Sequence, residues 1–241
     1  MIHSTSINPP SPISGIHEGS LNQIVWNWSP VIGATGYRWN SVNDYATATD
    51  MGTTTTKTET GLDAGTTYTR FVWAYNNCGA SEATILTQLL PYFIGQNHGG
   101  GIIFYIDGTS QHGLIAAGID QSTGTSWGCY GTSIPGTSYE IGTGQANTMV
   151  IINACNTAGI AARLCDELLL NGFSDWFLPS KDELNQMWLQ HSFLGLSESY
   201  FYWSSSQSVY NPTEYAWLQT HSGVTYGIKS LNYYVRAIRA F

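Results

Sequence analysis

Between residues 13 and 88 apolar and polar positions alternate. In QIVWNW a period of two puts Ile24, Trp26 and Trp28 on one face, and GYRWN follows after the turn-rich SPVIGATG. TTYTRFVWAY sets Tyr68, Val72 and Ala74 on one face and Phe71, Trp73 and Tyr75 on the other. Short strands between turn clusters predict an all-β domain over 13–88, preceded by an N-terminal tail at 1–12 and followed by a linker at 89–94. From residue 95 the texture changes. GGIIFYIDGTSQHGLIAA predicts a hairpin, with strands near 102–106 and 113–117 around Asp107-Gly108. Residues 145–170 carry helical spacing, divided near Gly159 and ended at Gly172. SKDE at Ser180 is a capping box that starts a second helix. Beyond residue 200 the pattern returns to strands and loops. The chain therefore reads as multi-domain, an all-β sandwich followed by an α+β domain over 95–241.

Composition narrows the partners. Charged residues make up 10 % of the chain and the net charge is -8, with no cluster of cations to track phosphates, so no nucleic acid is expected. The acidity argues against anionic membranes, and no apolar run approaches the roughly 20 residues needed for membrane insertion. MIHSTSINPPSP has neither the basic nor the apolar region of a signal peptide. The scarcity of Lys and Glu, with abundant Gly, Thr, Ser, Tyr and Trp, suits an extracellular, cell-surface or virion setting. Cys78, Cys129, Cys155 and Cys165 are too few for a disulfide-built scaffold and allow three pairings. Cys155 and Cys165, ten residues apart in one helical segment, are about 15 Å apart and cannot bond each other. Buried free thiols are expected.

Several motifs have a bland reading. GTSWG fits the serine-hydrolase pattern around Ser126, and a hydrolase using Ser126 with a histidine is the enzymatic alternative. The elbow needs a strand before the serine and a helix directly after, yet CYGTSIPG follows. YEIGTGQAN resembles a dinucleotide fingerprint preceded by an apparent strand, but Asn147 holds the third glycine position and no second parallel strand follows. No histidine pair has metal spacing: His98, His112 and His191 read as loop or surface residues, and His221 as a partner contact. Asp175 in SDWF reads as a turn carboxylate for backbone donors rather than a calcium ligand.

From Tyr200 to Tyr234 the chain carries seven tyrosines and six serines but only two charges, Glu214 and Lys229. Exposed aromatics in turn-rich segments cost apolar hydration, and binding surfaces have a reason to accept that cost. Tyrosine offers large area with few rotamers, and serine and asparagine offer adaptable hydrogen bonds. The expected ligand-binding residues are Ser208, Tyr210, Asn211, Tyr215, Leu218, His221, Tyr226, Ile228, Ser230, Leu231, Asn232 and Tyr233. No catalytic or metal-binding residue is expected.

The first domain resembles a fibronectin type III domain: Trp28 and Tyr37 match its core aromatics, and Leu62 and Tyr68 in GLDAGTTYTRFVWAYN match its tyrosine corner. Arg70 departs from the family by standing where an apolar residue is usual, so the strand is expected to be less deeply buried there. The second domain carries GGGIIFYID, GTSWGCYGT, IGTGQANTMVIINAC, GFSDWFLPSKDELNQMW, YWSSS, AW and VRAIRAF. In this order they resemble the C-terminal domain of the Legionella collagen-like adhesin type, a C-type-lectin-like fold related to the formylglycine-generating enzyme. The resemblance implies that N- and C-terminal strands pair, that VRAIRAF is a buried last strand, and that residues 206–233 carry ligand recognition, in some relatives diversified by retroelements. The enzyme branch acts through late cysteines, and none follows Cys165. The Glu-Pro-Asn and Trp-Asn-Asp sugar motifs are missing too, so no cofactor is expected and calcium finds no motif. Arg236 and Arg239 are expected to be held by opposite charges. The resulting expectation is a non-enzymatic binder of a cell-surface protein or glycan, compatible with an oligomer, with a purely structural virion or appendage component as a further alternative.

Overall fold

A computed structural model describes residues 7–241 and divides into two units, Met1–Phe93 and Ile94–Phe241. Residues 1–6 of the expected tail lie outside the described residues. In the first unit the strands are β1 (Glu18–Ser20), β2 (Gln23–Asn27), β3 (Gly36–Asn40), β4 (Thr49–Gly52), β5 (Thr56–Thr60), β6 (Thr67–Asn76), β7 (Gly79–Ala80) and β8 (Thr84–Leu89). One sheet runs β1-β2-β5; the other runs β4-β3-β6, with β7 and β8 both pairing β6. Ile24, Trp26, Trp28, Tyr37, Trp39, Val72, Ala74, Leu86 and Leu90 fill the space between them. The period-two alternation thus does what it predicts. Leu90, within the expected linker, is fully buried, and its N–H donates to the Thr66 carbonyl.

Tyr68 Oη accepts from the Asp63 N–H at 2.7 Å, tying the loop before β6 to the strand. The strand is less deeply buried around Arg70, as expected, and fully buried only over Val72–Ala74. Arg70 Nε donates to both Glu59 oxygens at 3.1 and 2.9 Å, and its guanidinium lies 5.2 Å from the Tyr68 ring. Glu59 also accepts from Trp26 Nε1 at 2.9 Å. The pair neutralises the charge, and the long arginine stem covers the aromatic core as an apolar residue would.

The second unit contains β9 (Asn97–His98), β10 (Gly101–Ile106), β11 (Gly113–Ala116), β12 (Ser122–Thr125), α1 (Gly144–Ala154), α2 (Ala161–Asp166), α3 (Lys181–Trp188), α4 (His191–Leu194), β13 (Tyr202–Gln207), β14 (Tyr215–Thr220), β15 (Gly223–Ile228), β16 (Tyr233–Val235) and β17 (Ile238–Ala240). Two sheets result, β17-β11-β10-β9 and β12-β16-β13-β14-β15. The hairpin at 101–116 forms as expected, and β17 pairs its second strand antiparallel. VRAIRAF is not one strand, however. Val235 ends β16 in the larger sheet, while Ile238–Ala240 crosses to the smaller.

Arg236 sits at that crossing. It is 3 % exposed and donates to Asp120 Oδ1 at 2.7 Å and to the carbonyls of Ala117 and Leu194. Arg239 holds both Asp175 oxygens at 2.8 Å, so Asp175 is the opposite charge expected beside Arg239. That pair holds the Asp175 carboxyl below its ordinary range.

The 145–170 helix is shorter than its spacing suggests. Cys155 ends α1, the chain turns at Gly159 with φ +70°, and α2 stops at Asp166, leaving Leu168–Leu170 outside any helix. The division near Gly159 is the expected one, and Cys155 at the end of α1 is disulfide-bonded to Cys129, with Cα atoms 5.7 Å apart. The expected set of buried free thiols is corrected to one, Cys165; Cys78 is free and exposed. Burial pushes the Cys165 thiol far up, which makes it inert. The capping box forms: Ser180 Oγ accepts from Glu183 N–H at 3.2 Å, and Glu183 Oε2 accepts from Ser180 N–H at 2.7 Å. No helix among the described residues is long and apolar enough to cross a membrane.

Candidate ligand-binding face

β14 and β15 form an uninterrupted antiparallel hairpin from Tyr215↔Ile228 to Thr220↔Gly223. Alternation puts Tyr215, Trp217, Gln219, Val224, Tyr226 and Ile228 on one face and Ala216, Leu218, Thr225 and Gly227 on the other. The Leu218 side is the packed one. A Cβ at Gly227 would lie 2.5 Å from Leu218 Cδ2, 2.8 Å from Tyr233 Cε2 and 3.3 Å from Trp203 Cη2. Gly227→Ala is expected to cost about 1–3 kcal/mol through overpacking, read as a lower urea midpoint. An unchanged midpoint would refute the close packing.

On the other face, aromatic rings gather beyond the first turn of α3. Tyr226 lies 5.2 Å from Tyr215, 5.9 Å from Trp217 and 5.8 Å from Tyr210, and Tyr139 meets Trp217 edge to face at 6.0 Å. The Lys181 ammonium lies 4.8 Å from the Tyr139 ring and 5.3 Å from the Trp217 ring, and pairs with Asp182 at 3.3 Å. Tyr210 is 73 % exposed and Tyr226 45 %. The inner members are better covered, and neither Tyr139 Oη nor Trp217 Nε1 has a hydrogen-bond partner among the described residues. The cluster therefore holds hydrogen-bonding capacity that the fold does not use. Tyr139 also belongs to the wall of a cleft of about 470 Å³ with Ser133, Thr137, Gln207, Ser208 and Val209. That size falls in the usual range for ligand pockets.

Beneath the cluster the polar groups are internal ties. Ser204, Ser205 and Ser206 are fully buried; Ser204 Oγ donates to the Trp217 carbonyl, and Ser206 Oγ to the Ser138 carbonyl while accepting from Lys181 N–H. Lys229, also fully buried, donates to the carbonyls of Pro212 at 2.7 Å and Thr132 at 3.0 Å and to Gln207 Oε1 at 2.8 Å. Its Nζ lies 4.5 Å from the Trp127 ring centroid. This lysine joins the loop bearing Tyr210 to the loop that opens the cleft. No carboxylate among the described residues pairs with it, and burial pushes its pKa down to about 8.

The twelve expected residues do not form one surface. Ser208 and Leu218 are 1 % and 2 % exposed, a correction: Ser208 N–H bonds the Tyr215 carbonyl, and Leu218 packs in the core. Tyr233 is half-buried, its ring edge to face with Trp203 at 4.8 Å on the side away from Tyr226. His221 is exposed at the β14–β15 turn. Ser230, Leu231 and Asn232 are exposed on the turn leading back to β16, where Asn232 lies beside Gly124 of β12. Asn211, Tyr215 and Ile228 are half-buried near Tyr210 and Tyr226. Trp217 is absent from the expected set although period-two spacing from Tyr215 marks it; Tyr139 and Lys181 carry no sequence signal, being brought in by tertiary folding.

The other motifs lose their chemical context. After Ser126 the chain runs through Trp127–Ile134 without a helix, and Trp127 is buried with its Nε1 donating to the Ser204 carbonyl. No strand immediately precedes α1, so the apparent strand of the dinucleotide pattern is absent there. No group of three metal-binding side chains occurs among the described residues.

No protein-family model matches the chain, and no curated protein matches it in sequence. Among solved structures, FN3tt is 20 % identical, covering 34 % of this chain and 95 % of its own, with a TM-score of 0.30. The fn3 domain of the human collagen alpha-1(XX) chain is 19 % identical, covering 41 % and 98 %, with a TM-score of 0.28. The fibronectin type III domain of human fibronectin type III domain containing protein 3 is 22 % identical, covering 36 % and 93 %, with a TM-score of 0.26.

Proposed function

We propose that this chain is a non-enzymatic binding protein, a surface adhesin or phage-tail tip of the retroelement-diversified type. A fibronectin type III-like sandwich carries a C-type-lectin-like domain that docks on a cell-surface protein or glycan. The observation that carries this reading is the Tyr210–Tyr215–Trp217–Tyr226 group, which leaves two tyrosine rings exposed beside a half-polar cleft. Exposed rings held by buried ties form a rigid contact area that loses little entropy on binding. The Cys129–Cys155 disulfide supports an extracellular or virion setting.

A Tyr210→Ala/Tyr226→Ala double variant tests this on glycan and cell-surface protein arrays, with and without calcium. Hits of the parent chain are expected to weaken tenfold or more while the melting temperature stays within about 2 °C, since both rings are largely outside the core. Undiminished binding would instead favour a structural virion component. Under the retroelement reading, sibling isolates differ mainly at exposed positions within 206–233 and keep Trp203, Ser204–Ser206 and Lys229; substitutions spread evenly along the domain would oppose it.

A further inference from the structure

The second unit has four edge strands among the described residues, and three are blunted. β9 has two residues, β17 has three with Arg239 paired to Asp175, and β12 has four with a register shift against β16. β15 differs. Its GVTYGI has six residues, no charge and no proline, and it pairs with β14 residue for residue. Proteins ordinarily protect such an edge with charge, proline or a bulge, because its open backbone groups template another strand.

The register identifies those groups. Lys229 N–H donates to the Glu214 carbonyl at 2.8 Å, while the Tyr215 carbonyl accepts from Ser208 N–H on the opposite side. Bonded and non-bonded pairs alternate along an antiparallel ladder. Gly223, Thr225 and Gly227 therefore turn their backbone groups toward β14, and the N–H and C=O of Val224 and Tyr226 point away from it. Tyr226 is thus at once an open edge position and a member of the aromatic cluster.

We infer that β15 is a strand-addition site for an extended segment of a partner polypeptide. The segment pairs with the backbone of Val224 and Tyr226 and lays alternate apolar or aromatic side chains against Tyr226, Tyr210 and Tyr215. This rests on the binding reading above and narrows its ligand to a polypeptide. A row of backbone donors and acceptors repeating every two residues, roughly 7 Å, is matched by another strand and not by sugar hydroxyls. The absence of charge on β15 favours a segment uncharged at the contacting positions.

The test is selection of a displayed library of random 12-residue peptides on the full chain, on Val224→Pro and on Thr225→Lys. Proline at 224 removes an outward N–H without breaking a bond to β14, and lysine at 225 adds an edge charge, so circular dichroism melts should match the parent. Expected are enriched peptides with alternating apolar positions that bind both variants at least tenfold more weakly. Their binding should slow deuterium exchange at the Val224 and Tyr226 amides at least tenfold. Absence of enrichment on the parent, or equal binding to all three proteins, overturns strand addition. Array hits that survive Val224→Pro but fail on Tyr210→Ala/Tyr226→Ala also overturn it while leaving the binding reading intact. A dimer that Val224→Pro dissociates overturns it by making a second copy the occupant.

Discussion

Replacing Lys229 by alanine is expected to lower the unfolding free energy of residues 94–241 by about 3–5 kcal/mol, because it opens a cavity and takes the ammonium donor from three acceptors. Those acceptors are the carbonyls of Pro212 and Thr132 and Gln207 Oε1, which also accepts from the Ile134 N–H. The loop bearing Tyr210 would lose its tether to the core, so binding should fall with stability. The pH dependence adds a check. In the fold the ammonium titrates at about 8, against 10.5 for a free lysine side chain. Below pH 8 both states are charged and the burial cost is fully present. Between pH 8 and 10.5 the unfolded chain binds the proton that the folded chain has released, so stability rises with pH, by about 1.4 kcal/mol per unit at most. Urea unfolding at about pH 7.5 and about pH 9.5, on either side of that folded-state value, should show the parent gaining on Lys229→Ala. A constant difference would mean that the lysine is solvated.

Breaking the Cys129–Cys155 bond should be nearly as costly. With a sequence separation of 26 between its ends, chain entropy alone makes it worth about 3.5 kcal/mol. In a unit of this size that is about 10 °C in melting temperature. A Cys129→Ala/Cys155→Ala variant should show this loss in the transition of residues 94–241 and none in that of the sandwich. The same bond fixes the turn that begins the cleft wall, so mobility should increase at Ser133–Thr137. Thiol titration of the denatured, unreduced parent should count two of the four cysteines, Cys78 and Cys165. Four reactive thiols would contradict the bond.

Local periodicity is legible where packing repeats it. The two-residue alternation of QIVWNW and TTYTRFVWAY sets the sandwich core, and the SKDE cap sets the start of α3. The helical spacing over 145–170 overshoots because Leu168–Leu170 continue the apolar pattern beyond Asp166, where α2 stops, while the division near Gly159 is legible in the glycine itself. Arg70 shows the same limit: nothing local reveals that Glu59, on a strand of the other sheet, neutralises it. At the candidate site, composition points to Tyr210 and Tyr226 but does not separate displayed hydroxyls from internal ones. Ser204–Ser206 and Ser208 are ties, and Lys229, which stands out in the sequence only as a rare charge, is the loop anchor. The face partners Tyr139 and Lys181 lie far from residues 206–233 in sequence, so no local pattern includes them.

Hydroxyl-radical footprinting of the chain, free and attached to the cells it recognises, would test the central claim most directly. The predicted result is that oxidation of Tyr210 and Tyr226 falls several-fold on attachment, while Tyr200, 43 % exposed and stacked on Tyr234, reacts as before. Protection of Tyr200 with Tyr210 and Tyr226 still open would contradict it.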